Sequence, residues 1–222
     1  MKILCIADEK DNLIYSGNIK PRFGNIDMVL SAGDLDLDYY GFIVSSLNKP
    51  LLFVFGNHNL SHLEDFERHP GNAFERGSPL VQDDAPSYGS IHVGGRVVNV
   101  RGLIVAGLGG SIRYNDGQNQ FTEVGMFFYA LRLLPKLLFN RIFHGRYLDI
   151  LLTHASPAGI QDGTDRAHRG FKVFLWFMKL FKPKYLVHGH IHLYDINATR
   201  ISTYRKTKVV NAYEHCVIDT EE

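Results

Sequence analysis

Leu51-Leu52-Phe53-Val54-Phe55-Gly56-Asn57-His58 is the stretch on which the fold turns. Five apolar residues read as a buried strand, and the turn after them delivers an amide and an imidazole. Four more apolar runs end in the same way. Ile3-Leu4-Cys5-Ile6-Ala7 runs into Asp8, and Met28-Val29-Leu30 leads to Gly33-Asp34. Leu148 to Leu152 ends at Thr153-His154, and Tyr185-Leu186-Val187 ends at His188-Gly189-His190-Ile191-His192. In open α/β sheets, ligands gather outside the carboxyl ends of the strands. Asp8, Asp34, Asn57, His154, His190 and His192 are thus expected to converge on one rim. Oxygen and imidazole donors without thiolate suit a hydrolytic metal centre.

Outward from these runs, the first half alternates strand and helix, with a helix expected from about Tyr39 to Leu47, which implies a parallel sheet. Residues 59–88 are polar and turn-rich, with Pro70-Gly71, Gly77 and Pro79, and read as a long surface excursion. Residues 89–107 give short strands separated by glycines. A helix is expected from Thr122 to about Asn140, with Thr122 as N-cap and a kink at Pro135. Another runs from about Ala167 to Phe181, closed by Pro183. The tail from Leu193 to Asp219 reads as antiparallel strands. Two sheets flanked by helices satisfy this pattern, and residues 1–222 are expected to form one domain.

The 222 residues carry a formal net charge of +1, which argues against the broad basic face needed for long nucleic acid. The two cysteines, Cys5 and Cys216, give no disulfide framework, and Cys5 reads as a small core residue. Met1-Lys2 precedes only five apolar residues, so no signal peptide is expected and a reducing cytoplasm is the default location. No run reaches the roughly 18 apolar residues of a transmembrane segment.

The order and form of the motifs resemble the calcineurin-like metallophosphoesterase superfamily. Its pattern is Asp-x-His, Gly-Asp, Gly-Asn-His followed by an acid, a lone His, and Gly-His-x-His. This chain has Asp8-Glu9-Lys10, Gly33-Asp34, Gly56-Asn57-His58-Asn59, His154 and Gly189-His190-Ile191-His192. Lys10 and Asn59 depart from the pattern. The resemblance covers residues 1 to about 218. It implies a four-layer α/β/β/α sandwich with two mixed β-sheets. It also implies one or two divalent ions (manganese, iron or zinc) and hydrolysis of phosphodiesters, or of monoesters, by metal-bound water or hydroxide. Asp8, Asp34 and His192 would serve one ion, and Asp34, Asn57, His154 and His190 the other. His58 would be a general acid and not a ligand. The rival implication is a scaffold that has kept the fold and lost activity, a reading that Lys10 makes serious.

Asp34, at a strand end, can bridge two cations, although a turn Asp after Gly is also common. On an extended chain His190 and His192 would face the same way, with His188 turned from them. Arg113, Arg166 and Arg169 could hold a substrate phosphate as planar forks; a charged helix start explains the last two equally well. His62, His69, His92, His144 and His215 read as surface residues, and His168 stays open. Gly107-Leu108-Gly109-Gly110-Ser111-Ile112 does not complete a nucleotide loop. The expected substrate is a small phosphoester, with a nucleotide-like one among the options, and a homo-oligomer is compatible with the sequence. Trp176, Phe177 and Phe181 are candidates for a core-facing helix, a dimer contact or a membrane-surface patch.

Overall fold

The structure, a computed structural model, describes residues 1–68, 87–195 and 197–221. His69 and most of the excursion expected over 59–88 lie outside them. The chain opens with β1 (Lys2–Ala7), α1 (Ile19–Phe23), β2 (Met28–Ser31), α2 (Leu37–Leu47), β3 (Leu51–Phe53), α3 (Leu63–Arg68) and β4 (Ile91–His92). It continues through β5 (Val97–Val100), β6 (Leu103–Leu108), β7 (Ser111–Ile112), β8 (Gln120–Phe121), α4 (Glu123–Leu131) and α5 (Leu134–His144). Then come β9 (Ile150–Thr153), α6 (Lys172–Phe181), β10 (Tyr185–His188), β11 (Ile201–Tyr204), β12 (Thr207–Asn211) and β13 (Glu214–Asp219).

Two mixed sheets result. The first has the order β13-β1-β2-β3-β4, with β1 to β4 parallel and β13 antiparallel to β1. The second has the order β11-β12-β10-β9-β6-β5, with parallel central strands and antiparallel edges. Alternation along each strand sends side chains to opposite faces. Ile3, Cys5, Leu30, Leu52, Val105, Leu152 and Val187 fill the core between the sheets. Leu4, Ile6, Val29, Leu51 and Phe53 point the other way, onto α1, α2 and α3. Leu151 and Leu186 point onto α4, α5 and α6. Both faces of the central strands are therefore covered, which is why these runs are continuously apolar. The α/β/β/α layering is the expected one. It brings the carboxyl ends of β1, β2, β3, β9 and β10 to one edge.

Several local expectations change. The helix expected over Thr122 to Asn140 is two helices. Thr122 caps the first, its hydroxyl accepting from the Gly125 N–H at 3.0 Å. Pro135 falls in the first turn of α5, where its missing donor costs nothing, so it starts a helix instead of kinking one. The helix expected from Ala167 begins at Lys172. Asp165 Oδ1 accepts from the N–H groups of Ala167 and His168, and Asp162 Oδ2 from that of Gly170. Such local bonds compete with helix. The tail is split: β12 pairs in parallel with β10, and β13 crosses to the first sheet. His92 is buried among the rings of Phe53, Phe55 and Phe66, not on the surface, and burial pushes its pKa down to about 3. Phe177 and Phe181 are buried core residues.

Candidate metal centre

Asp34, His154 and His190 present donor atoms that all lie within 4.8 Å of one another. Asp34 follows β2, His154 follows β9 and His190 follows β10. Asn57, past the end of β3, completes the approach with Oδ1 3.1 Å from His154 Nε2. That nitrogen also faces Asp34 Oδ2 at 3.3 Å. Each imidazole is fixed from behind. His154 Nδ1 lies 2.8 Å from the Ala32 carbonyl, which leaves Nε2 for the centre. His190 Nε2 lies 2.9 Å from the Ala167 carbonyl, which leaves Nδ1. A backbone acceptor on the remote nitrogen is the usual way to orient a metal-binding histidine. The Asn57 amide is set by its Nδ2 donating to Tyr114 Oη at 3.2 Å. Asp34 Oδ1 accepts the His58 N–H at 2.8 Å.

This convergence needs unusual backbone. Asp8, Asp34 and His190 have φ of 68°, 60° and 65°. Non-glycine residues rarely adopt that region, and such strain clusters at functional sites. Gly56 is required by space, because a Cβ there would sit 2.0 Å from Asp34 Oδ1 and 2.6 Å from His154 Cε1. Burial opposes charge on His154, but the Asp34 carboxylate outweighs it and lifts the imidazole to about 9. Burial likewise opposes the Asp34 charge, and His154 together with the His58 N–H holds it down at about 2. Burial, aided by the charge of His154, lowers His190 to about 3.

Residues 1–194 match the family described as calcineurin-like phosphoesterases. The chain belongs to the calcineurin-like phosphoesterase family. No curated protein matches it. One solved structure superposes with a TM-score of 0.64 at 14% identity, covering 99% of this chain and 95% of the other. TT1561 of Thermus thermophilus gives 0.60 at 15% identity, covering 96% and 89%. At such identities the likeness concerns the fold alone. Family members use divalent metals, and the donor set here fits one: a carboxylate, an amide oxygen and two oriented imidazoles.

In this calcineurin-like phosphoesterase, Asp8 and His192 stand outside the group of mutually close donors. Both Asp8 oxygens accept the His190 N–H, at 3.0 and 2.9 Å. Burial raises the Asp8 carboxyl to about 7, with His154 pulling the other way. The extended alternation expected for His190 and His192 is broken, because β10 stops at His188 and His190 is left-handed. His192 stacks on Tyr213 at 4.7 Å, with Nδ1 2.7 Å from Tyr194 Oη. His188 is buried, with Nε2 2.8 Å from Gln161 Oε1. Lys10 turns to Asp36, at 2.7 Å.

His58 is exposed at the rim. Arg113, Arg166 and Arg169 are exposed on loops, without a hydrogen bond from any of their side chains among the described residues. The loop carrying Arg166 and Arg169 does reach the centre, through the Ala167 carbonyl and through the His168 ring 5.2 Å from that of His190. Sequence reasoning gave no positioning role to Tyr114, Asn119 or the Ala167 carbonyl. Asn119 Nδ2 donates to the Gly56 carbonyl at 2.6 Å. These contacts cross tens of residues, and backbone acceptors carry no sequence signal.

Proposed function

We propose that the chain is a metal-dependent phosphoesterase that hydrolyses phosphodiesters ahead of monoesters. The supporting observation is the convergence of Asp34, Asn57, His154 and His190, with both imidazoles oriented from behind by carbonyl groups. These four residues would hold a divalent ion, with manganese, iron and zinc all suited to the donors. When bound, the ion supplies Lewis acidity, lowering the pKa of water and drawing charge from phosphoryl oxygens.

The remaining roles belong to side chains. Tyr114 keeps the Asn57 carbonyl turned inward. Asp34, tied to the His58 N–H, fixes the segment that carries the His58 imidazole. His58 then protonates the departing oxygen, the work for which imidazole is suited near neutral pH. Arg113, Arg166 and Arg169 are free to swing toward an anionic substrate from the rim. Asp8 and His192 would contribute to a second, weaker ion. The commitment of Lys10 to Asp36 and of Asp8 to the His190 N–H favours this unequal arrangement. The same observation supports a second reading, a catalytically weak binding scaffold. We further take residues 1–222 as one domain of a cytoplasmic protein.

The deciding experiment is hydrolysis of bis-nitrophenyl phosphate by the purified chain with added manganese, beside His154→Ala. Turnover in the parent that is absent from the variant supports the enzyme. Equal, background-level release by both supports the scaffold.

A further inference from the structure

The two helical layers meet water differently. α1, α2 and α3 carry none of the exposed large apolar side chains, whereas α4 and α5 carry half of those among the described residues. Val124 and Phe128 form one stripe on α4; Leu138, Phe139, Ile142 and Phe143 form another on α5. Phe128, Ile142 and Phe143 are 62%, 75% and 66% exposed. The opposite faces of the same helices, at Met126, Ala130 and Leu137, are buried against the second sheet and α6. The stripes therefore point outward from one layer, and scattered single apolar residues would not give this pattern.

The charge around them is predominantly basic. Residues 123–146 and 172–182 hold seven Lys and Arg against one acid, Glu123, in a chain whose net charge is only +1. That acid is used internally, its oxygens accepting the N–H groups of Lys172 and Val173 at the start of α6. Lys136 lies over the Phe139 ring at 4.7 Å, so its stem and charge share the apolar stripe. Between the ends of α5 and α6 is a cleft of about 350 Å³, lined by Arg141, Arg146 and Lys182 and by no acid. Arg146 is paired with Asp149, and Arg141 also bonds the Gly145 carbonyl, which leaves Lys182 the freest of the three.

We infer that the outer face of α4 and α5, with the adjoining end of α6, docks on an anionic lipid surface. Aromatic and aliphatic side chains would enter the headgroup boundary while lysines and arginines meet lipid phosphates, the arrangement of interfacial helices. Charge decides between this partner and a second copy of the chain. A twofold contact through the face would set like charges against each other, whereas an anionic membrane complements them. No helix among the described residues is long and apolar enough to cross a membrane, so the contact is peripheral.

The test is flotation of the full chain with vesicles of phosphatidylcholine, alone or mixed with phosphatidylglycerol. The parent should float with the mixed vesicles only and detach as salt is raised. Two variants are compared: Phe139→Ser/Ile142→Ser/Phe143→Ser, and Lys136→Glu/Lys182→Glu. Each should weaken vesicle binding by at least about tenfold, with unchanged thermal unfolding and unchanged hydrolysis of a soluble diester. Because hydrolysis is read separately, failure here leaves the phosphoesterase reading standing. Absence of binding to the mixed vesicles overturns the inference, as does binding that neither variant alters. A concentration-dependent dimer abolished by the serine variant would also overturn it, assigning the face to a second copy.

Discussion

The two halves of the rim draw on similar residue types and use them differently. On one side, His154 and His190 are each held by a backbone carbonyl, Asn57 is aimed by Tyr114, and Asp34 is tied to the His58 N–H. On the other, Asp8 spends both oxygens on the His190 backbone, His192 is stacked on Tyr213, and Lys10 reaches for Asp36. Donors held from behind are turned toward one another, so a cation entering between them displaces only the proton that His154 shares with Asp34. Donors with partners of their own must give something up first. The contrast shows why a motif match alone does not fix metal content: the same residue can be poised or occupied.

The largest effect should come from the poised side. His154→Ala removes a fully buried donor and leaves Asp34 without its partner. Metal content and kcat/KM should fall together, the latter by at least about 100-fold, since even residues that merely orient ligands are worth about 10–100-fold. Elemental analysis beside diester kinetics checks this. His58→Ala should keep its metal and lose about 10²–10⁴ in rate on alkyl esters, and much less on nitrophenyl esters, whose leaving groups need no proton. Equal losses on both ester classes would remove the general-acid assignment.

Tyr114→Phe is a milder probe, because it takes away only the oxygen that aims Asn57. Metal affinity should drop by about tenfold, with little change in folding. The pH dependence sharpens the comparison further. With metal removed by a chelator, the raised pKa of His154 makes its charged form a stabilising group. That contribution is complete below the ordinary value of 6.5 and is lost as pH rises through about 9. Metal requires the neutral imidazole, so binding should release protons and tighten between pH 7 and 9. Calorimetry in buffers of differing ionisation enthalpy reads the released protons. The smallest effect on stability belongs to Lys10→His. Its pair with Asp36 is half exposed and worth within about 1 kcal/mol, yet the new imidazole should raise occupancy of the Asp8 side.

Much of this was legible in the sequence. Runs such as Leu51 to Phe55 are apolar throughout because both sheet faces are covered, and that alone gives strands and layers. The residues at their ends follow from the rule that sites lie at carboxyl ends of parallel strands. What stayed hidden depends on backbone sign and on distant partners. Nothing in Gly189-His190-Ile191-His192 announces that His190 is left-handed, and that dihedral breaks the alternation that would have set His190 and His192 facing the same way. His92 reads as a turn residue because the phenylalanines that bury it come from β3, α3 and the turn after β3. The direction of Lys10 is set by Asp36, far along the chain. Pro135 is ambiguous locally, and Arg132-Leu133 breaks the helix before it.

The most direct test of the unequal rim is a manganese titration of the parent chain by calorimetry, with elemental analysis after dialysis. The account expects about one tightly held ion per chain, lost in His154→Ala, with any second ion bound far more weakly and strengthened by Lys10→His. Two ions of equal tightness in the parent, unaltered by Lys10→His, would contradict it.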